Sequence, residues 1–106
     1  MQISYQFRNK WFVRQIAGNQ AFIGRPNAKQ SVDIDLSPDT TVSRLHARLW
    51  LVDGAWWLED LKSRFGTQLN TQKLTGPVQV QVGDTVQIGE TTLRIDSLPD
   101  EVLAAK

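Results

Sequence analysis

The residues of this chain best suited to chemistry are cations and hydroxyls that recur in three short segments. The segments are residues 23–26, 42–47 and 60–70. Their cationic and hydroxyl side chains are Arg25, Arg44, Lys62, Arg64, Ser43, Ser63 and Thr67. Arginine presents a planar fork of N–H donors, and a phosphate group carries about −1.5 to −2 charges on strong acceptor oxygens. If the three segments meet in space, they form a receptor for a phosphate or a similar oxyanion.

Other chemistries find little support in the sequence. The absence of cysteine excludes disulfides, thiolate metal sites and a cysteine nucleophile. His46 is the single histidine, and no companion residue suggests a metal site or a catalytic pair, so a structural role is favoured. The acidic residues are scattered without a paired-carboxylate pattern, and no Walker-type loop is present. We therefore expect no enzymatic activity, no metal and no cofactor.

Length and composition limit the class of protein. The chain has 106 residues, 41% hydrophobic and 22% charged, which suits one globular domain. A net charge of +1 argues against nucleic-acid binding, and no apolar run approaches the roughly 18 residues of a membrane span. No signal peptide is visible, so an intracellular location is expected, cytoplasmic or, in a eukaryote, nuclear. We predict a domain over residues 1–97 and a linker or the start of a following segment over 98–106.

Apolar residues alternate with polar ones in short runs separated by turn residues, which is typical of an all-β fold. We expect about ten to eleven short strands in two packed sheets. Asp53-Gly54 predicts a tight hairpin between strands 46–52 and 55–61. Asn9-Lys10 predicts another turn, and the last three runs, 78–82, 86–88 and 93–95, predict a meander.

Three tryptophans, Trp50, Trp56 and Trp57, lie near the predicted Asp53-Gly54 hairpin. Packing in the core or on a sheet face is the favoured interpretation. An exposed pair would instead mark a surface for a partner or a second copy.

The order of the motifs resembles that of the forkhead-associated (FHA) family. The matching residues are Gly24-Arg25, then Ser43-x-x-His46, then Ser63-x-x-Gly66-Thr67-x-x-Asn70, and the likeness extends from about residue 22 to about residue 95. Each motif alone is weak, but the three in this order are specific. The resemblance implies an FHA-type β-sandwich whose loops at one end bind phosphothreonine in a partner protein.

By position, the resemblance implies roles for individual residues. Arg25 matches the main phosphate-binding arginine, Ser43 matches a hydroxyl that donates to the same phosphate, and Arg44 matches a position that contacts phosphate or peptide. The matches to residues that shape the loops are Gly24, His46, Gly66, Thr67 and Asn70. Without the other motifs, Arg25 would be interpreted as a surface arginine beside Pro26, and Ser43 as a residue that bonds the local backbone.

Phe65 departs from the family pattern, because the family usually has an asparagine there that grips the peptide backbone. Some members have a bulky aromatic residue after a basic one, as Phe65 follows Arg64 here. Arg64 then adds a cation for the phosphate, or is a plain surface charge. Two interpretations follow: a phosphothreonine reader with altered selectivity, monomeric or weakly dimeric, or an FHA-like dimerisation or interaction module that no longer binds phosphothreonine.

Overall fold

In the computed structural model, which describes residues 1–98, the chain folds into eleven β-strands. They are β1 (Gln2–Phe7), β2 (Lys10–Gln15), β3 (Gln20–Gly24), β4 (Ile34–Asp35), β5 (Leu45–Val52), β6 (Ala55–Asp60), β7 (Thr67–Leu69), β8 (Gln72–Lys73), β9 (Val78–Val80), β10 (Thr85–Ile88) and β11 (Thr91–Ser97). The predicted all-β class is confirmed.

The strands form two sheets that pack face to face. One sheet has the order β2-β1-β11-β10-β7-β8, and the other has the order β4-β3-β5-β6-β9. Side chains at alternate positions are buried between the sheets, because successive residues of a strand point to opposite faces. The buried positions include Ile3, Tyr5, Ala21, Ile23, Ala47, Leu49, Trp56, Leu58, Val86, Ile88, Leu93 and Ile95. The two-sheet sandwich predicted from the alternation is confirmed.

Two tight turns show how well local sequence defines the hairpins. Asp53 and Gly54 have φ values of 50° and 78°, as a type I′ turn requires. The predicted turn at Asn9-Lys10 is displaced by one residue. Its central residues are Arg8 and Asn9, with φ values of 50° and 65°, and Lys10 already pairs with Phe7 in the sheet.

The predicted meander of the last three strands is wrong. β9 pairs with β6 in the five-stranded sheet, whereas β10 and β11 form a hairpin in the six-stranded sheet. The chain crosses between the sheets at residues 81–84. Alternation predicts that a strand forms, but the partner depends on which apolar faces meet in the core. β7 and β8 are two further short strands that lie within and just beyond the segment interpreted as a polar loop.

The tryptophans divide between the two faces of one sheet. Trp56 is 2% exposed in the core. Trp50 and Trp57 are paired neighbours on the outer face, where both are half-buried and the Arg48 guanidinium lies 4.2 Å from the Trp50 ring centroid. Leu98 packs against the core, and the remainder of the predicted linker lies outside the described residues. Residues 1–98 contain no helix with the length and apolarity to cross a bilayer.

The strand pairing brings the three polar segments to one end of the sandwich. Gly24, at the end of β3, pairs with Leu45, at the start of β5. Asp60, at the end of β6, pairs with Ala47 of β5, and Thr67 of β7 pairs with Ile88 of β10. We call this region the loop end.

Candidate functional site

Gly24 and Arg25 join β3 to the segment that precedes β5. A Cβ atom at Gly24 would lie 2.0 Å from the Arg44 carbonyl oxygen, so only glycine permits this approach. The Arg25 amide donates to the same oxygen over 3.1 Å, and its Nε donates to the Val42 carbonyl oxygen. The half-buried Arg25 guanidinium is therefore fixed beside the residue that precedes Ser43.

Ser43 links the second and third polar segments. Its Oγ accepts the Arg64 amide N–H over 3.0 Å. A serine hydroxyl has one donor hydrogen and two acceptor lone pairs, so this contact leaves the hydrogen to donate. Within residues 1–98 no acceptor for that hydrogen is found. The structure thus places the backbone of Arg64 against Ser43, and the Arg25 Nε against Val42, the neighbour of Ser43.

His46 holds the same two segments from inside. It is fully buried, its Nδ1 accepts the Ser43 amide N–H over 3.0 Å, and its Nε2 lies 2.8 Å from the Gly66 carbonyl oxygen. These partners define a neutral ring protonated on Nε2. Burial lowers the pKa of His46 below its ordinary value. His46 therefore contacts both loops without facing a ligand.

Asp60 organises the third segment, a role that the sequence analysis missed. Its carboxylate accepts the Ser63 hydroxyl, the Ser63 amide over 3.0 Å and the Thr67 hydroxyl over 2.7 Å. Burial by itself raises the pKa of Asp60, but these hydrogen bonds outweigh it and the pKa lies below its usual value. The hydroxyls of Ser63 and Thr67 are thus turned inward. A carboxylate three residues before a serine is the signal that was available, since this spacing is typical of local capping.

Asp39 is a second missed residue, and it anchors the segment before Ser43. It is fully buried. Its Oδ1 accepts the Thr41 amide over 2.9 Å and the Thr41 hydroxyl, while its Oδ2 accepts the Glu90 amide and the Thr91 hydroxyl, both over 2.8 Å. The β10–β11 turn is thereby fixed to the 38–41 segment.

The cations around Ser43 are not neutralised by neighbouring acids. Arg44 and Arg64 are exposed, and among residues 1–98 no carboxylate forms an ion pair with Arg25, Arg44 or Arg64. The Arg64 guanidinium lies 5.3 Å from the centroid of the Phe65 ring, which is 58% exposed. The loop end therefore presents cationic groups and one uncovered aromatic ring to solvent.

Asn70 lies apart from this cluster. Its Oδ1 accepts the Thr85 amide over 3.0 Å, and its Nδ2 donates to Asp84 over 3.0 Å. It has a φ of 48° at the β7–β8 turn, where Thr71 follows with a φ of 74°. Its contacts close a turn rather than face the Ser43 cluster.

Comparison with known proteins identifies relatives of this arrangement. The family model of the FHA domain matches residues 21–89. The chain is 40% identical over 57 residues to FhaB, an FHA domain-containing protein of Mycobacterium tuberculosis H37Rv, covering 54% of this chain and 37% of FhaB. It is 39% identical over 79 residues to FhaB of Mycolicibacterium smegmatis, covering 74% of this chain and 48% of that protein. The chain thus spans less than half the length of these curated relatives.

Solved FHA domains have the same fold. The FhaA FHA domain, solved in complex with the intracellular domain of Rv3910, superposes with a TM-score of 0.71 at 26% identity, covering 88% of this chain and 96% of that chain. A structure from work on phosphothreonine-dependent FHA domain interactions superposes with a TM-score of 0.71 at 24% identity, covering 93% of this chain and 99% of that one. On its motifs, its sandwich and the extent of the family match, the chain belongs to the FHA domain family.

Proposed function

We propose that this chain is a phosphothreonine-dependent peptide-binding module that mediates signalling contacts between proteins. The proposal rests on the contacts that join the loops containing Arg25, Ser43 and Arg64. The Arg25 guanidinium is fixed by Val42 beside Ser43, whose hydroxyl already accepts an N–H from the Arg64 loop. A phosphate placed there meets fixed donors and no competing carboxylate.

In this arrangement the chain's own groups divide the work. The Nε of Arg25 is engaged by Val42, which leaves its terminal N–H groups to donate to phosphate oxygens. Ser43 donates its hydroxyl hydrogen, and Arg44 and Arg64 add positive charge. Hydrogen bonds to charged groups contribute roughly 1.5–3 kcal/mol each. The FhaA complex and the structure from work on phosphothreonine-dependent interactions support a phosphoprotein partner, by membership in the same family.

Phe65 alters how such a peptide is held. An aromatic ring makes no hydrogen bonds to a peptide backbone in the manner of asparagine. We expect the exposed ring to pack on an apolar side chain that flanks the phosphothreonine, with the Arg64 cation above it. Selectivity for flanking residues then differs from that of members with asparagine at this position.

A phosphothreonine peptide array with unphosphorylated duplicates tests the proposal. Arg25→Ala should weaken phosphopeptide binding about ten- to a hundredfold, because one fixed charged donor is lost. Arg14→Ala is the matched control, since Arg14 is an exposed arginine in β2, away from the loop end. Equal binding of phosphorylated and unphosphorylated peptides, or by wild type and Arg25→Ala, contradicts the proposal.

The exposure of Phe65 motivates a second candidate, an interaction or dimerisation module without phosphate reading. Light scattering over a range of concentrations, alongside titration with a degenerate phosphothreonine library, separates the two. A stable dimer with no library signal favours the second candidate. A monomer or weak dimer that selects phosphorylated peptides favours the first.

The proposed role is binding rather than catalysis, and the proposed partner is a phosphothreonine-containing protein inside the cell. Nucleic acid and membrane are not expected partners, because the charges of the chain are nearly balanced.

A further inference from the structure

Two apolar depressions flank the β10–β11 turn at the loop end. The inner depression, of about 260 Å³, is lined by Thr41, Phe65, Gly89 and Glu90. It begins next to the proposed phosphate site, because Phe65 follows the residue whose amide bonds Ser43. The second depression, which we call the outer groove, also measures about 260 Å³. The residues that line the outer groove are Phe7, Arg8, Lys10, Phe12 and Pro38.

The two depressions belong to one surface, because they share their dividing wall. Residues 38–41 contribute Pro38 to the outer groove and Thr41 to the inner depression. Glu90 of the inner depression and Arg8 of the outer groove approach to 3.9 Å, Oε2 to Nη2. Residues 38–41 and the contact between Arg8 and Glu90 therefore join the two depressions directly.

The wall is rigid at its base. The buried Asp39 carboxylate holds both Thr41 and the Glu90 amide, and the Glu90 amide also lies 3.0 Å from the Thr41 hydroxyl. Beneath the outer groove, Phe12 stacks on Tyr5 with ring centroids 4.9 Å apart. A surface fixed in this way before binding loses little conformational entropy when a ligand binds.

The charges of the two depressions are opposite. The inner depression carries Glu90, whose side chain is 53% exposed, and the outer groove carries Arg8, 73% exposed, and Lys10. Within residues 1–98, Lys10 forms no ion pair with a carboxylate, and Arg8 forms one, with Glu90. At such exposure this pair is weak, so an incoming carboxylate competes for Arg8 readily.

We propose that the phosphothreonine partner continues past Phe65 as an extended segment and reaches the outer groove. There it places an apolar side chain with an adjacent Asp or Glu. Glu90 disfavours acidic residues beside Phe65, whereas Arg8 and Lys10 select them one step further along. This inference rests on the proposed function and adds the turn between β1 and β2 to the recognition surface.

A positional peptide library tests this inference. Phosphothreonine is fixed, and each flanking position on either side is varied in turn with Glu, Lys, Leu and Ala. Binding is measured for wild type, Arg8→Glu, Lys10→Glu and the double variant. A short phosphothreonine peptide that ends before the outer groove is measured in parallel. Arg14→Glu is the matched control, because it makes the same charge change in the same strand as Lys10 without lining either depression.

We expect wild type to favour Glu at one or more positions distant from the phosphothreonine. Each reversal should weaken such peptides about two- to fivefold, and the double variant should prefer Lys there instead. The short peptide should bind all variants alike, which also shows that they are folded. If the short peptide binds but Arg8→Glu and Lys10→Glu leave every positional preference unchanged, the outer groove is no recognition site and the phosphate proposal stands. If no phosphothreonine peptide binds wild type, both proposals are overturned.

Discussion

The two ends of the sandwich are built in different ways. At the loop end, segments distant in sequence are joined by polar side chains, namely the buried Asp39 and His46 and the half-buried Asp60, of which Asp39 reaches Thr91 across 52 positions. At the opposite end, two turns are closed by local contacts. Asp53-Gly54 closes the β5–β6 hairpin, and Asp84 accepts the amide of Gln81 three residues earlier.

The glycines of the two ends show the same contrast. A Cβ on Gly24 would meet the Arg44 backbone at 2.0 Å, whereas a Cβ on Gly54 would meet no atom within 4 Å. Gly24 is required by its neighbours, and Gly54 is required by its own φ of 78°. The loop end therefore depends on tertiary structure for its shape, whereas the Asp53-Gly54 hairpin at the opposite end is defined by nearest neighbours.

The same substitution at each end gives the largest expected difference. Gly24→Ala forces apart two backbones and should lower the free energy of unfolding by more than about 3 kcal/mol, enough to impair folding. Gly54→Ala only places alanine in a left-handed conformation and should lower it by about 1 kcal/mol. Chemical denaturation of both variants measures the difference. Equal losses would show that the close approach at Arg44 relaxes without cost.

Replacing one aspartate by asparagine at each end of the sandwich should give the next largest difference in the free energy of unfolding. Asp39→Asn replaces an oxygen acceptor by an amide donor facing buried donors, and should lower the free energy of unfolding by about 2 kcal/mol. Asp53→Asn in the exposed hairpin turn should change it by less than about 0.5 kcal/mol, because Asn tolerates the φ of 50° equally well. Thermal unfolding of the pair measures both. A loss confined to Asp53→Asn would reverse the comparison.

Acidification gives a smaller effect that is specific to the loop end. The pKa of His46 is lowered in the folded protein, so the unfolded chain takes up a proton first as pH falls. The contribution of His46 to the free energy of unfolding is complete above about pH 6.5, its ordinary pKa, and declines as pH falls through the lowered pKa of the folded state. Denaturation midpoints between pH 7.5 and about 5 measure this decline. His46→Gln should remove the slope, since the chain has one histidine; a slope that persists in this variant has another origin.

Much of the fold follows from local sequence. Alternation predicts most strands, and Asp53-Gly54 predicts the hairpin because its φ requirement is local. The Asn70-Thr71 turn gives no such signal, since a β-branched residue with a φ of 74° is uncommon and the turn is held by the bond from Asn70 to Thr85 of β10. The placement of β9 beside β6 likewise depends on the assembled core.

The candidate site follows less directly from sequence. The order of motifs predicts that Arg25, Ser43 and Arg64 meet. In the structure the Arg25 Nε donates to Val42, the neighbour of Ser43, and the Arg64 amide donates to Ser43. The aspartates that hold the loops were not predicted, because an acidic residue in a turn is common and its decisive partners lie elsewhere in the chain. The structural role of Asp39 becomes evident in the folded protein, where Glu90 and Thr91 lie beside it.

The exposure of the Phe65 ring also offers a position from which ligand binding can be monitored by fluorescence. The native tryptophans lie in the strands rather than in the loops around Ser43, and Trp56 is buried in the core, so its emission reports unfolding. The Phe65 position has solvent around it and lies one residue beyond the amide that bonds Ser43. A tryptophan introduced there is an optical probe placed at the site itself.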